Sequence, residues 1–121
     1  MQYLALIHSD EAAWDALDDD VRDGVIADYM SFAAKARAAG VMIDGDRLAS
    51  SGAATTVRLR DRQTLVVDGP YAEVKEALGG YFVFECDSIE EACDWAAGIP
   101  AARYGAIEVR AVHRDPEEGH L

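Results

Sequence analysis

The apolar residues of this chain follow two spacings that alternate along the sequence. Nearly continuous apolar runs occur at 2–8, "QYLALIH", at 80–86, "GYFVFEC", and at 106–113, "AIEVRAVH", and each predicts a β-strand. Between the first two runs, apolar residues at helical spacing predict a helix that begins near the acidic residues 18–20 and ends at Gly40. The stripe of this helix consists of Val21, Val25, Tyr29, Phe32, Ala33 and Ala36.

Three further segments are extended. The stretch 41–48, "VMIDGDRL", resumes an extended chain after Gly40. The β-rich runs "ATTVRLR" and "QTLVV" flank a dipeptide, Asp61 and Arg62, and predict a hairpin with its tight turn at these two residues.

A second helix is predicted over 87–100, "DSIEEACDWAAGIP". Ser88 is the expected N-cap, Glu91 three residues later completes a capping box, and Gly98 with Pro100 end the helix. Its inward face is expected to contain Ile89, Ala92, Cys93 and Ala96.

This order of elements, β-α-β, an inserted hairpin and β-α-β, predicts an α+β fold of the ferredoxin-like, split βαβ type. Its antiparallel sheet would carry both helices on one face. We expect a single domain over 1–113 and a polar C-terminal tail over 114–121, "RDPEEGHL". Trp14 and Trp95 lie in or near amphipathic segments and are interpreted as core residues.

Both faces of the central strands are apolar. Leu4 and Leu6 alternate with Ala5 and Ile7, and the run around Phe82 shows the same two-sided pattern. A sheet covered by helices on one face alternates apolar and polar residues, so something else must cover the second face. We therefore predict a homodimer packed sheet to sheet, with any cavity between sheet and partner.

Composition and charge exclude several classes of protein. The 121 residues are enough for one domain, and a net charge of −12 disfavours binding to a phosphate backbone. No apolar run approaches the roughly 18 residues of a membrane span, and the N-terminus lacks a basic leader, so a cytoplasmic protein is expected.

Cys86 and Cys93 are interpreted as small buried thiols, neither ligands nor a bridge. No metal, nucleotide or flavin motif is present, and no cofactor is predicted.

The stretch 67–81, "VDGPYAEVKEALGGY", places a turn, charged residues and a glycine pair between two apolar runs. Gly69 and Pro70 form the turn, which Asp68 would order by accepting from a free N–H group. A short helix is expected from Pro70, with Gly79 and Gly80 ending it. Its docking face would consist of Tyr71, Val74 and Leu78. Two interpretations remain open, a capped turn with a solvated helix and a functional site.

Together with "QYLALIHSDEAAW", "AGVMIDGDRL", "ATTVRLRDRQTLV" and "DWAAGIPAARYGAIEVR", this stretch closely resembles the DGPF-motif branch of the YCII-related proteins. The resemblance implies a dimeric α/β barrel. It falls on Asp68, Gly69, Pro70, Ala72, Glu73, Lys75, Glu76, Leu78, Gly79 and Gly80, and on the "EVR" of Glu108, Val109 and Arg110.

Departures from the family pattern limit what can be transferred. Tyr71 replaces the usual Phe, Val74 the usual Thr, and Ala111 follows "EVR" where Pro is common. The His and Asp suspected of catalysis in YCII-type relatives would fall near Ile26 and Ala38, so that chemistry is not transferred.

Two functions of different class are weighed. The first is binding or turnover of a small molecule at the dimer sheet interface, with His8 or Glu73 as base and Asp68 ordering the loop. The expected substrate-binding groups are Lys75, Glu76, Tyr71 and Arg110. The second function, which the resemblance implies, is that of a non-enzymatic accessory protein of an extracytoplasmic-function sigma factor. Alternatively, His8 is a hydrogen-bonded surface residue, and Glu108 and Arg110 each pair with residues of a neighbouring strand.

Overall fold

A computed structural model describes residues 1–114 of the chain. In chain order, its elements are β1 (Gln2–Asp10), α1 (Glu11–Asp15), α2 (Asp19–Ala38), β2 (Met42–Arg47), β3 (Thr55–Arg60), β4 (Gln63–Asp68), β5 (Glu76–Glu85), α3 (Ile89–Ala96) and β6 (Ala106–Ala111). Single 3₁₀ turns occur at Ser51–Ala53 and Pro100–Arg103. Apart from Arg114, the expected polar tail lies outside the described residues.

Four strands form one antiparallel sheet in the order β2-β5-β1-β6, and β3 and β4 form a separate hairpin. This is the ferredoxin-like arrangement with an inserted hairpin, so the predicted fold class is confirmed. The core lies between the sheet and the helices, where the ring of Phe32 from α2 meets Phe82 at 5.3 Å and Phe84 at 6.2 Å between centroids. Trp95 of α3 completes the cluster at 6.3 Å from Phe32, as expected of a core residue.

The two predicted helices form, and their inward faces are narrower than predicted. In α2 the stripe is buried at Phe32 and Ala36, whereas Val21 is 50% exposed. The backbone of Gly40 has a φ of +74°, a left-handed conformation that suits glycine after a helix end.

The predicted cap of α3 is present, but two of its four inward residues are not buried. Ser88 Oγ accepts from the Glu91 backbone N–H at 3.1 Å, and the Glu91 carboxylate accepts from the backbone N–H of Asp87 at 2.8 Å. Ile89 and Cys93 are exposed, because the helix is only eight residues long and meets the core through Ala92 and Ala96. The interpretation of both cysteines as buried thiols is therefore right for Cys86 and wrong for Cys93.

No helix forms between Pro70 and Gly80. Strand β5 begins at Glu76, where residues predicted as helical pair with the end of β1, Leu78 opposite His8 and Ala77 opposite Ser9. Long-range pairing has overridden the local pattern, as is common for strands. Gly79 and Gly80 therefore lie inside a strand, at a register shift, and do not end a helix. The expected docking face is wrong as well, because Tyr71, Val74 and Leu78 are exposed.

The predicted hairpin and its turn are confirmed. Asp61 and Arg62 have φ values of 49° and 64°, the pair of positive angles that defines a type I′ turn. Apart from Thr56, every side chain of β3 and β4 is exposed.

The two faces of the main sheet differ in cover. Ala5, Ile7, Phe82 and Phe84 are buried on the face beneath the helices. The alternate residues Leu4, Leu6, Tyr81 and Val83 are only partly buried. No helix among residues 1–114 is long and apolar enough to cross a membrane.

Candidate functional site

A cavity of about 470 Å³ lies between α2 and the β2–β5 side of the sheet, on the helix-covered face. Its volume is in the range of pockets that bind small molecules. A shallower depression of about 580 Å³ lies between α2 and α3. It is lined by Asp28 and Arg103, which pair with each other at 3.2 Å, and by Lys35 and Asp94, which form no ion pair within residues 1–114. The first cavity is the better candidate because it is more enclosed and its walls are more apolar.

The floor of the cavity follows from glycines in the strands. Ile7, Gly80 and Arg47 lie side by side on β1, β5 and β2, and Phe82 and Gly45 are neighbours in the next row. Gly79 and Gly80 present only backbone to the cavity; a Cβ atom at Gly79 would meet no atom within 4 Å, whereas one at Gly80 would lie 3.0 Å from the carbonyl oxygen of Asp46. A Cβ atom at Gly45 would approach the Phe82 ring to 2.7 Å, so only glycine allows this close contact.

One face of α2 forms the wall. Its lining residues recur every three to four positions, as one stripe of a helix does. They are Ile26, Tyr29, Met30, Ala33 and Arg37. Met30 is 69% exposed and Ile26 is 41% exposed, so the cavity is an open groove with an apolar side.

The short helix α1, which the sequence pattern did not predict, closes one end. The Asp10 carboxylate caps it by accepting from two backbone N–H groups of its first turn. Glu11 fixes it to the 3₁₀ turn after β2 by accepting from the backbone N–H and the hydroxyl of Ser51, both at 2.8 Å. Trp14 is thereby held at the cavity, and the Arg47 guanidinium lies 5.4 Å from its ring centroid. The interpretation of Trp14 as a core residue is wrong, because α1 lies at the sheet's end rather than over the core.

Two tyrosines, Tyr29 and Tyr104, contribute hydroxyl groups at the side of the cavity. Burial raises the pKa of Tyr29 to about 12, and the neighbouring Tyr104 adds to the increase. Contact with the backbone of Ala101 and the positive charge of Arg103 oppose it. Tyr29 is therefore a phenol and a potential hydrogen-bond donor throughout the physiological range.

The charges around the cavity are not paired with one another. Arg37 and Arg47 form no ion pair with any carboxylate of residues 1–114. Asp15 and Asp46 also line the cavity, and neither forms an ion pair within the described part of the chain.

The residues predicted from the sequence lie elsewhere and in two groups. On the uncovered sheet face, His8 Nε2 and Glu108 Oε1 are 3.1 Å apart, the cross-strand contact expected of a hydrogen-bonded surface histidine. Arg110 lies on the same face, opposite Leu4. The sequence predicted a cross-strand contact for Glu108 but did not identify His8 as its partner.

The second group lies at the base of the hairpin, in the segment 68–76. The backbone N–H of Gly69 donates to Ala54 O at 2.7 Å, and the Arg58 guanidinium lies 5.4 Å from the Tyr71 ring centroid. Asp68, Glu73, Lys75 and Glu76 form no ion pair or side-chain hydrogen bond within residues 1–114. The structure thus brings His8 to Glu108 but does not join either to the 68–76 segment.

Comparison with known proteins adds a family and a fold. The family model of the YCII-related domain matches residues 1–114. An uncharacterized protein of Rhizobium meliloti (strain 1021) is 35% identical over 112 residues, which is 91% of this chain and 90% of that protein.

A solved structure is similar in fold over nearly its whole length. It is the 5-chloro-2-hydroxyhydroquinone dehydrochlorinase TftG from Burkholderia phenoliruptrix AC1100, in complex with 2,5-dihydroxybenzoquinone. The TM-score is 0.57 at 13% sequence identity, with 97% of this chain and 98% of that chain covered. An identity this low supports the shared fold alone. The match of the domain model to nearly the whole chain, together with the Rhizobium relative, shows that this chain belongs to the YCII-related family.

Proposed function

We propose that this protein binds a small organic molecule in the cavity between α2 and the sheet. The observation that carries the proposal is a groove of about 470 Å³ whose surface is mainly apolar and whose wall includes large exposed apolar side chains. An apolar recess with a few convergent polar groups is the usual form of a ligand site.

The exposure of the wall supports the proposal. Met30, Ile26 and Leu48 are large apolar side chains that face water around the same groove. Side chains of this kind clustered at one recess commonly mark a site where a ligand removes them from water. Burying them stabilises a complex by about 25 cal/mol for each Å² of apolar surface.

Turnover at this site would need groups other than those suspected in YCII-type relatives. Ile26, the position nearest to their histidine, is an apolar wall residue here. Tyr29, with its pKa raised to about 12, can donate a hydrogen bond to a ligand oxygen but is a poor base near neutrality. The geometry therefore supports binding more directly than acid–base catalysis.

A second candidate site is the uncovered face of the sheet, where His8 and Glu108 are in contact. Leu6 is directly opposite Glu108, and Leu4 and Val83 continue the partly exposed apolar surface along the same face. We propose that a second copy of the chain covers this face, as the sequence pattern predicted. A small-molecule site between the two sheets would then use His8, oriented by Glu108, as its base.

Filling the groove tests the first proposal. Ala33→Phe projects a ring from the α2 wall into the space, and we expect it to weaken binding of the uncharged fluorophore phenylnaphthylamine about tenfold or more. The measurement is a fluorescence titration of the purified protein, with circular dichroism to confirm that the helix content is unchanged. Ala34→Phe is the matched control, because Ala34 is the exposed neighbour and does not line the cavity.

A second variant avoids the core altogether. Met30→Gln replaces an exposed wall residue by a polar helix former, and it should also weaken phenylnaphthylamine binding. If Ala33→Phe and Met30→Gln both bind the probe as the wild type does, the cavity is not the binding site. If His8→Ala alone abolishes binding, the site lies on the uncovered face.

A further inference from the structure

We infer that the cavity selects ligands that combine an apolar ring with a single anionic group, and that Arg47 binds the anion. This inference rests on the proposed function and adds the chemical class of the ligand. A carboxylate or a sulfonate on a ring system meets the requirement equally.

The apolar part of the ligand follows from the shape of the groove. Its floor is the backbone of β5 at Gly79 and Gly80, and its wall carries Met30 and Ile26. A floor without side chains, opposite flexible apolar side chains, accommodates a planar ring better than a branched or strongly hydrated group.

The anionic part follows from the state of Arg47. This side chain leaves the end of β2 and is held over the Trp14 ring at 5.4 Å, so its guanidinium is already in place before a ligand arrives. A stacked guanidinium keeps its in-plane N–H donors free, and these match the two oxygens of a carboxylate. No carboxylate of residues 1–114 forms an ion pair with it.

The lining carries three carboxylates, Glu11, Asp15 and Asp46, and two arginines, Arg37 and Arg47, so an anion is favoured only where it contacts a guanidinium. Of the lining carboxylates, Glu11 already accepts two hydrogen bonds from Ser51. Arg37 adds a second positive charge farther along the α2 wall. Asp15 and Asp46 restrict the ligand to one anionic group, because a second one would approach them without a partner.

Two probes that differ by one charge test the inference. Anilinonaphthalene sulfonate and phenylnaphthylamine share the same ring system, and only the first carries an anion. We expect the wild type to bind the sulfonate more tightly than the neutral probe, and added salt to reduce this preference. Arg47→Met keeps the apolar stem and removes the charge, and should weaken sulfonate binding about tenfold while changing the neutral probe less than about twofold.

Arg58→Met is the matched control. Arg58 also stacks on an aromatic ring, Tyr71, at the same 5.4 Å, but it lies on the hairpin and outside the cavity. It should change the affinity of neither probe. An equal effect of Arg58→Met and Arg47→Met on the sulfonate would overturn the inference, because it would reflect loss of overall charge.

The inference and the proposed function fail in different ways. If the cavity-filling Ala33→Phe variant weakens both probes but Arg47→Met changes neither, the cavity binds ligands and the anionic class is wrong. If Ala33→Phe and Met30→Gln leave the affinities for both probes unchanged, the proposed function itself is wrong. A wild type that prefers the neutral probe also contradicts the anionic class.

Discussion

Tyr29 lies where the core meets the cavity, and its hydroxyl is held there as a phenol. Burial raises its pKa from 10.0 to about 12, so the folded chain keeps a proton that the unfolded chain releases. Between these two pH values the unfolded state binds fewer protons than the native state. The contribution of Tyr29 to the free energy of unfolding is therefore fully present below pH 10 and is lost as the pH rises to about 12.

Tyr29→Phe removes this source of pH dependence. We expect the free energy of unfolding of the variant to fall less steeply than that of the wild type between pH 10 and pH 12. Denaturant titrations at several pH values measure the two slopes. Tyr71→Phe, at a side chain that is 80% exposed, should retain the wild-type slope. Equal slopes for Tyr29→Phe and the wild type would show that burial does not perturb Tyr29.

At the scale of residues, the sequence predicted contacts between near neighbours and missed those made across the fold. The Ser88 and Glu91 cap depends on residues within four positions and was predicted correctly. Arg47 and Arg58 look alike in the sequence, since each is an arginine near the end of a β-rich run. They differ because Arg47 lies at the cavity, in contact with Trp14. That contact requires the helix α1 and the sheet together.

The hairpin β3–β4 is an element with little packing of its own. It forms a separate two-stranded sheet, and both residues of its turn hold positive φ angles without being glycine. Each such angle costs a non-glycine residue about 1–2 kcal/mol. An isolated hairpin is marginally stable, so it should open locally without unfolding of the core.

Arg62→Gly relieves one of the two angles. We expect amide hydrogen exchange of Arg58 and Leu65, a hydrogen-bonded pair across the hairpin, to slow about fivefold, the change that about 1 kcal/mol produces. The melting temperature of the whole protein should not change. Arg60→Gly, within the strand, should instead speed exchange at the same amides. A rise of several degrees in the melting temperature of Arg62→Gly would contradict local opening.

At the scale of elements, the error at residues 70–80 has a physical cause. The segment has a helix-compatible pattern of apolar residues after Pro70, and the sequence alone offers no competing signal. The competing interaction is the ladder to β1, in which Glu76 pairs with Asp10 sixty-six positions earlier. Pairing over such a distance is set by the topology of the whole sheet, which local periodicity does not encode.

The molecule as a whole has one sheet face beneath the helices and one that is open. The alternation of β1 and β5 predicted two apolar faces, and the structure shows that the helices cover only one of them. Leu4 and Val83 are directly opposite each other on the open face, at the centre of the sheet. We expect this pair to lie near the middle of the proposed homodimer interface.

Leu4→Asp tests the assembly. A buried carboxylate at an apolar interface is costly, so we expect the variant to be a monomer and the wild type a dimer at micromolar concentration. Leu4 faces Arg110 on the neighbouring strand, so the single chain should tolerate the new charge. Sedimentation velocity distinguishes the two states, and Ala34→Asp on the outer face of α2 should remain dimeric. A wild-type monomer, or a dimeric Leu4→Asp variant, would contradict sheet-to-sheet association.

Consecutive residues of β1 serve opposite sides of one thin layer. Ile7 belongs to the floor of the cavity, and His8 is in contact with Glu108 on the other face. Point substitutions at alternate positions can therefore change one side during evolution while leaving the other intact. A deletion of one residue before Ile7 would exchange the two sets of side chains at once. Natural variation in this strand should accordingly consist of replacements and contain few length changes.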